Sequence, residues 1–357
     1  MDRFDRNYMP CLDGLRGLAA LIVVLGHAPM LQYPAIIQPF ARDYGVLIFF
    51  VLSGFLMGSL YLPRQPTNRA VIEYATSRVA RILPLYFAVV LISYAIGKWD
   101  PDFVYQISAV QLARLLTFNG SVSVFWSIGP EVQFYGLFIL LWWIAYRSRA
   151  LFFAFTIALG AICVVTIRFW PGIFVLSKFH IFACGVLIAA IRPHITLNNF
   201  ATFFVHAISA ALLLAICFSS SFLKTFGDVG EDMTAFYDSV PRTAVAGIIV
   251  FGLSFDGWLG EALFATRPMR FLGTVSFSVY LLHEAVMYWA GRLMPQDMHS
   301  FLSLLLSVAA ALAASYATNV LIENPARRRI KSIRVPDIKP LGASPIPAFT
   351  DVTDPAP

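Results

Sequence analysis

The segment LDGLRGLAALIVVLGHA (residues 12–28) is an apolar run that contains three ionisable residues. A membrane-spanning helix needs roughly 20 mainly apolar residues, and the first predicted span extends from residue 12 to residue 30. Asp13 and Arg16 lie near its start, and His27 lies near its end. Ionisable side chains are costly inside a bilayer, so those present usually face the interior of a helical bundle. The segment therefore predicts a spanning helix with one polar face.

The spacing of Arg16 and His27 places both residues on that face. They are 11 positions apart in the sequence, which is close to three helical turns and about 16 Å along the helix axis. An arginine at one membrane surface can bind an anion, and a histidine in the opposite half can exchange a proton. The alternatives are that Arg16 only extends to the membrane surface and that His27 only bonds a backbone carbonyl.

The composition of the whole chain excludes several classes of protein. Of 357 residues, 59% are hydrophobic and only 13% are charged, whereas soluble domains carry about 25% charged residues. A soluble enzyme, a secreted disulfide scaffold and a disordered chain are thus excluded.

The four cysteines show no CxxC spacing, so we predict core positions for them and no metal site. The net charge of +6 is attributed to cytoplasmic loops, and no nucleic-acid partner is expected.

Ten apolar segments indicate an all-α, polytopic membrane helical bundle. No segment alternates with the period of two that a barrel strand shows. The predicted spans are residues 12–30, 44–62, 81–97, 125–146, 150–168, 173–191, 200–219, 243–262, 271–291 and 300–322.

The distribution of basic residues predicts the orientation of these spans. With a cytoplasmic N-terminus, cytoplasmic segments hold 18 Lys or Arg residues and external segments hold 7. This excess follows the positive-inside rule and places both termini in the cytoplasm. The first span is expected to be an uncleaved signal anchor. Residues 1–335 are predicted to form the membrane domain, and the proline-rich residues 336–357 a disordered cytoplasmic tail.

Depth estimates place polar residues of different spans at two levels. Glu131 and His283 are expected at the depth of His27, so these three side chains could converge. Near the cytoplasmic surface, a second group comprises Asp13, Arg16, Arg78, Arg81 and Glu323. A histidine beside a carboxylate is suited to general-base catalysis, and arginines are suited to binding phosphate. The pattern indicates transfer of a group from a phosphate-bearing donor to a hydroxyl acceptor.

Six motifs resemble those of the acyltransferase-3 family of integral-membrane acyltransferases. They are LDGLRGLAALIVVLGHA (12–28), FFVLSGFLM (49–57), SRVARILPLY (77–86), WSIGPEVQFYGLF (126–138), LGTVSFSVYLLHE (272–284) and IENPARR (322–328). They occur in the order found in that family and extend over nearly the whole chain. Two positions depart from the family pattern: Ser77 stands where an arginine is frequent, and Pro130 precedes Glu131.

The resemblance implies ten core helices, an acyl-CoA donor that is most often acetyl-CoA, and an essential role for Arg16 and His27. It implies close packing or a donor path at Ser53 and Gly54. It also implies functional importance for six other positions. Those other positions are Arg78, Arg81, Trp126, Ser127, Glu131 and Glu323.

These observations lead to a specific hypothesis: a membrane O-acyltransferase that moves an acyl group from cytoplasmic acyl-CoA to a hydroxyl of a sugar or glycan. His27, oriented by Glu131, is the expected base, and Arg16 guides the donor whose phosphates Arg78 and Arg81 bind. An acyl-histidine intermediate is the alternative to direct transfer. Acyl-CoA is a co-substrate, and no cofactor or metal is expected.

Further side chains are candidates for contact with the reacting groups or the acceptor. Ser127, Tyr135 or a backbone amide could stabilise the oxyanion, and His283 is a candidate substrate contact. Phe125, Trp126 and Tyr135 could stack on a sugar, and the alternative is that these aromatic residues anchor the helix at the membrane surface.

The expected location is the cell membrane, which is the inner membrane in a Gram-negative bacterium. Two functions of other classes remain open: a transporter or flippase for a glycan precursor, and a scaffold subunit of a polysaccharide-export complex.

Overall fold

The computed structural model describes residues 8–226, 233–294 and 300–332, and within these ranges the regular structure is helical and contains no strand. The predicted tail 336–357 lies outside the described residues. The helices are α1 Pro10–His27, α2 Ala41–Tyr61, α3 Asn68–Trp99, α4 Ala109–Leu116, α5 Ile128–Arg147, α6 Arg149–Val165, α7 Val175–Ile191, α8 Asn199–Phe218, α9 Ser220–Lys224, α10 Met233–Tyr237, α11 Val240–Leu253, α12 Trp258–Phe264, α13 Arg267–Leu293, α14 Phe301–Thr318 and α15 Asn324–Lys331.

Seven helical segments of the described chain are long and apolar enough to cross a membrane, and a broken pair adds an eighth. The seven are Pro10–Leu31, Ala41–Tyr61, Asn68–Trp99, Ser123–Arg147, Val175–His194, Asn199–Phe218 and Phe301–Ile330. The pair is α11 and α12, which meet at a bend of 110°. The all-helical membrane bundle is confirmed, whereas the predicted count of ten spans is not.

The difference in count arises at α6, α11–α12 and α13. Helix α6 has only 17 residues, and the bend divides the predicted span 243–262. Helix α13 has 27 residues, but serines and the pair His283–Glu284 interrupt its apolar sequence. Polar residues buried between helices make a segment look less like a span even where its backbone is continuous.

Helix α1 lies against α13 through two glycines. A Cβ atom on Gly17 would lie 2.6 Å from the backbone nitrogen of Gly273, so a larger residue cannot occupy the position without movement of the backbone. Small residues allow helices in a membrane to approach closely and to gain dispersion energy and polar contacts. This close approach brings His27 of α1 onto α13, where its ring contacts that of His283.

Helix α3 begins well before the span predicted at 81–97. The Thr67 side chain caps it by accepting a hydrogen bond from the Ala70 backbone N–H at 3.2 Å. The first turns are polar, which is why the hydropathy of the sequence did not reveal them. Arg78 and Arg81 consequently lie inside a continuous helix of 32 residues, three positions apart on one face.

A π-helical turn at Asn319–Glu323 joins α14 to α15. Its wider turn holds Glu323 in the interior, where this residue is 1% exposed.

All four cysteines are free, and each is buried or half-buried. The predicted burial is found for Cys11 and Cys163, whereas Cys184 and Cys217 are half-buried.

Candidate active site

Two cavities adjoin one another inside the bundle. The arginine cavity, of about 60 Å³, is lined by Arg16, Arg78, Arg81, Ser53, Glu131 and Tyr135 among others. The histidine cavity, of about 500 Å³, is lined by His27, Arg42, Ser123, Trp126, Tyr237 and Glu284 among others. Val46 and Tyr280 line both cavities and thus form the boundary between them.

The arginine cavity brings together three guanidinium groups from α1 and α3. Arg16 Nη1 lies 3.4 Å from a carboxylate oxygen of Asp13, and Arg78 Nε donates to the Ser77 hydroxyl at 3.2 Å. Arg81 makes no hydrogen bond or ion pair with another residue in the described ranges. Three clustered cations with few acceptors of their own form a site suited to an anion with several oxygens.

Ser77, which departs from the family pattern, holds this arrangement in place. Its hydroxyl donates to the Tyr74 carbonyl at 2.8 Å and accepts from Arg78. The residue therefore positions a guanidinium instead of supplying one.

Glu131 lies in the arginine cavity and not beside His27. Its Oε1 atom accepts hydrogen bonds from the Ser53 hydroxyl at 2.6 Å and from the Tyr135 hydroxyl at 2.7 Å. Pro130 is accommodated because α5 begins at Ile128, and a backbone N–H in the first turn has no partner within the helix. The expected convergence of His27, Glu131 and His283 is thus found for the two histidines only. Depth along a span gives no information on rotation about its axis, and rotation directs Glu131 toward the arginines.

Two histidines contact one another at the interface of α1 and α13. His27 Nδ1 lies 2.9 Å from the Val23 carbonyl oxygen, so we assign the proton of neutral His27 to Nδ1. His283 Nδ1 lies 2.9 Å from the Tyr280 carbonyl oxygen, and its Nε2 lies 3.3 Å from His27 Nδ1. The single Nδ1–H of neutral His27 therefore faces both the Val23 carbonyl oxygen and the Nε2 atom of His283, and the lone pair of His27 is on its own Nε2 atom.

Glu284 faces that available nitrogen. Its Oε1 atom lies 3.3 Å from His27 Nε2, and its other carboxylate oxygen accepts a hydrogen bond from the Ser123 hydroxyl. The Glu284 side chain is only 6% exposed, so its charge is weakly screened. Once His27 Nε2 gains a proton, this carboxylate stabilises the imidazolium.

The same three side chains could also hold a metal ion. The ligand atoms of His27, His283 and Glu284 lie within 4.8 Å of one another, and they form the one such group among the described residues. Two imidazoles and one carboxylate are a donor set used by several transition metals. A metal on His27 Nε2 would occupy the only ring nitrogen of His27 that is free to accept a proton.

The lining of the histidine cavity carries further polar and charged groups. Tyr237 donates to Asp43 at 3.1 Å, and Lys178 donates to Asp238 at 3.1 Å. Burial raises the pKa of Tyr237 well above its ordinary value, and the Asp43 charge raises it further, so the phenol keeps its proton.

Tyr280 occupies the boundary between the cavities with its hydroxyl held on both sides. This hydroxyl donates to the Val124 carbonyl at 2.9 Å and lies 2.8 Å from the Ser127 hydroxyl, and Ser127 itself lines the arginine cavity. Arg16 and His27 thus line different cavities that meet at Val46 and Tyr280.

The remaining predicted residues have diverse placements. Trp126 lines the histidine cavity, where its ring lies 4.8 Å from that of Tyr237. Gly54 packs against the backbone of Phe182 on α7, because a Cβ atom there would overlap the Phe182 carbonyl. Glu323 lines neither cavity.

Glu323 instead connects α13, the π-helical turn and α15. It accepts hydrogen bonds from Ser278 and, at 3.0 Å, from Arg327. These bonds support a structural role beside the arginine cavity.

Sequence reasoning did not select Glu284, Arg42 or Tyr280. Glu284 carried a usable signal, because a carboxylate in the middle of an apolar segment is rare and usually partnered. Arg42 and Tyr280 carried none, since arginines at helix starts and tyrosines in spans are common.

Comparison with known proteins places the chain in a family. A sequence profile described as an acyltransferase domain, that of the acyltransferase-3 family, matches residues 9–320. No solved structure matches the chain.

Three curated relatives illustrate the similarity. The peptidoglycan O-acetyltransferase OatA of Listeria monocytogenes is 24% identical over 91% of this chain and 57% of the relative. The putative peptidoglycan O-acetyltransferase YrhL of Bacillus subtilis is 23% identical over 78% of this chain and 49% of the relative. The putative membrane-bound transacylase BcsY of Komagataeibacter xylinus is 28% identical over 79% of this chain and 74% of the relative. The chain therefore spans about half the length of the first two. With its apolar helices and the match over residues 9–320, this multi-pass membrane protein belongs to the acyltransferase-3 family.

Proposed function

We propose that the protein is a membrane O-acyltransferase that transfers an acetyl group from acetyl-CoA to a hydroxyl of a glycan. The observation that carries the proposal is the contact between the two cavities: one presents three guanidinium groups, and the other presents an imidazole whose Nε2 faces the carboxylate of Glu284. The similarity to proteins named peptidoglycan O-acetyltransferases supports the same reaction class.

In this proposal the donor occupies the arginine cavity. Arg78 and Arg81 bind phosphate oxygens of acyl-CoA, and Arg16 directs the pantetheine arm toward the boundary at Tyr280. The cavity of about 60 Å³ is smaller than the donor, so the arm with its thioester enters only when the side chains that line the cavity move apart. The nucleotide remains at the entrance.

The acceptor occupies the histidine cavity, whose volume of about 500 Å³ lies within the usual range for small-molecule sites. His27 Nε2 removes the proton of the acceptor hydroxyl while the oxygen attacks the thioester carbonyl. The carbon–sulfur bond then breaks, the CoA sulfur leaves, and the proton passes from His27 to that sulfur. Glu284 stabilises the imidazolium between these steps, and His283 holds the ring orientation.

The oxyanion that develops as the tetrahedral intermediate forms needs a hydrogen-bond donor. Tyr280 and Ser127 lie at the boundary, where the thioester carbonyl meets the acceptor. Their hydroxyls are candidates once they turn away from the Val124 carbonyl, which both of them contact in the structure. Tyr135 is already engaged with Glu131 in the arginine cavity.

The proposed orientation places both termini in the cytoplasm, with ten membrane crossings that include α6, α11–α12 and α13. It rests on the excess of basic residues in the segments assigned to the cytoplasm. The arginine cavity then opens toward the compartment that contains acyl-CoA.

The test uses the purified full chain in liposomes with acetyl-CoA labelled in its acetyl group and peptidoglycan fragments as acceptor. We expect ester-linked label on the glycan and one free CoA thiol for each ester formed. A thioether analogue of acetyl-CoA, which cannot transfer its acyl group, should inhibit without being consumed. Movement of glycan across the membrane without ester formation would instead support a transporter.

A further inference from the structure

Most charged side chains that line the histidine cavity are already bonded to a strong partner. Asp43 accepts from Tyr237, and Lys178 donates to Asp238. Glu284 accepts from Ser123 and faces His27. These groups therefore have partners before any acceptor enters.

Arg42 differs from these residues. Its Nη1 atom lies 3.0 Å from the sulfur of Met30, which is a weak acceptor. Its Nε atom is buried without a hydrogen bond among the described residues, and the nearest Asp43 oxygen lies 3.9 Å away, beyond hydrogen-bond reach. The Arg42 side chain is 12% exposed. A guanidinium in such a position has lost most of its hydration without gaining an oxygen acceptor.

Arg42 lies in the cavity where the proposed proton transfer takes place. Arg42 lines the same cavity as His27 and Glu284, and its charge acts on both of them. Met30, which covers its Nη1 atom, is 65% exposed and can therefore move away at little cost. An entering oxyanion would then replace a thioether by a charge-assisted hydrogen bond.

We propose that Arg42 is an anion-binding residue of the acceptor site, and that the acceptor is an acidic glycan. The ligand chemistry is a carboxylate or phosphate oxyanion carried by the sugar that presents the reacting hydroxyl. This inference rests on the proposed function and specifies its substrate class. The rings of Trp126 and Tyr237 line the same cavity and provide apolar surface for the sugar.

The transfer test compares three acceptors in the same liposome assay. One is a neutral chitin oligosaccharide, one is a uronic acid oligosaccharide, and one is a sugar linked to a polyprenyl diphosphate. We expect one of the two anionic acceptors to be preferred over the neutral acceptor by at least 10-fold in kcat/KM, and the preferred member identifies the source of the oxyanion. Preference for the neutral oligosaccharide would overturn the proposal.

Variants of Arg42 provide a second test of the proposal. Arg42→Gln should raise the KM for the preferred anionic acceptor at least 10-fold while kcat changes little, and Arg42→Lys should give an intermediate KM. The matched control is Arg292→Gln, which removes a surface arginine paired with Asp100 and Asp102. An unchanged KM in Arg42→Gln would overturn the assignment.

Direct binding separates this inference from the proposed function. Both anionic ligands should raise the Tm of the wild-type protein and not that of Arg42→Gln. The neutral oligosaccharide should change the Tm of these two proteins by more similar amounts. If this shift is seen but no acetyl ester forms, the proposed transfer is wrong and the anion site remains. If esters form but no anion shifts the Tm, the acidic-acceptor assignment is wrong and the transfer remains.

Discussion

The two cavities differ in size and in how their charges are compensated. The arginine cavity is about 60 Å³ and contains three guanidinium groups beside one carboxylate that is bonded to hydroxyls. The histidine cavity is about 500 Å³, and most of its charges are paired across its walls. A narrow site with excess cation suits one constant donor, whereas a wide site with paired charges suits a bulky acceptor. The comparison indicates that donor binding and acceptor recognition can be altered separately.

The largest effect is expected at the base. His27→Ala should lower kcat by about 10²–10⁴-fold, because general-base catalysis typically contributes that much. The measurement is ester formation per molecule of folded protein in liposomes. His194→Ala, in the exposed turn Arg192–His194, is the control and should retain activity. Normal transfer by folded His27→Ala would show that the histidine cavity is not the reaction site.

The next effect is expected in donor binding. A charge-assisted hydrogen bond contributes about 1.5–3 kcal/mol, so Arg78→Gln and Arg81→Gln should each raise the KM for acetyl-CoA by roughly 10–100-fold. The KM for the acceptor should remain the same, because these arginines line only the arginine cavity. Titration with acetyl-CoA at fixed acceptor measures the change.

Arg328→Gln on the exposed side of α15 is the matched control for both arginine variants. A rise in the acceptor KM with an unchanged donor KM would reverse the assignment of the two cavities.

A smaller effect distinguishes the two buried glutamates. Glu284→Gln should lower kcat by roughly 10-fold, since the imidazolium loses its carboxylate partner at a cost typical of one charged hydrogen bond. Glu131→Gln should change kcat less than about 3-fold, because its amide oxygen can still accept from Ser53 and Tyr135. Steady-state kinetics of both variants measures the difference. The opposite ranking would make Glu131 the functional partner of His27.

The sequence predicted the elements better than it predicted their relative rotation. Apolar runs identified helices at all ten predicted segments, since hydropathy is a local property. The count of spans was not confirmed, because α6 is short, α11–α12 is bent by 110° and α13 is rich in polar residues. Packing between helices decides such cases, and it is not visible in one segment alone.

The candidate site shows the same limit at the level of single residues. Arg16 with Arg78 and Arg81, and His27 with His283, were grouped correctly by depth and sequence spacing. Glu131 and Glu284 were not distinguished, since the rotation of a helix about its axis depends on contacts with other helices, such as that of Gly273 on α13 with Gly17 on α1. The boundary position of Tyr280 on α13 and Val46 on α2 depends on the packing between helices, which neither segment shows alone.

The central claim is that the donor reaches the boundary at Tyr280 from one membrane face and the acceptor from the other. The most direct measurement supplies labelled acetyl-CoA outside liposomes that contain the protein, with a glycan acceptor sealed inside. The account predicts that esters form on the enclosed glycan while CoA is released outside. Ester formation only when acetyl-CoA and glycan share one compartment would contradict it.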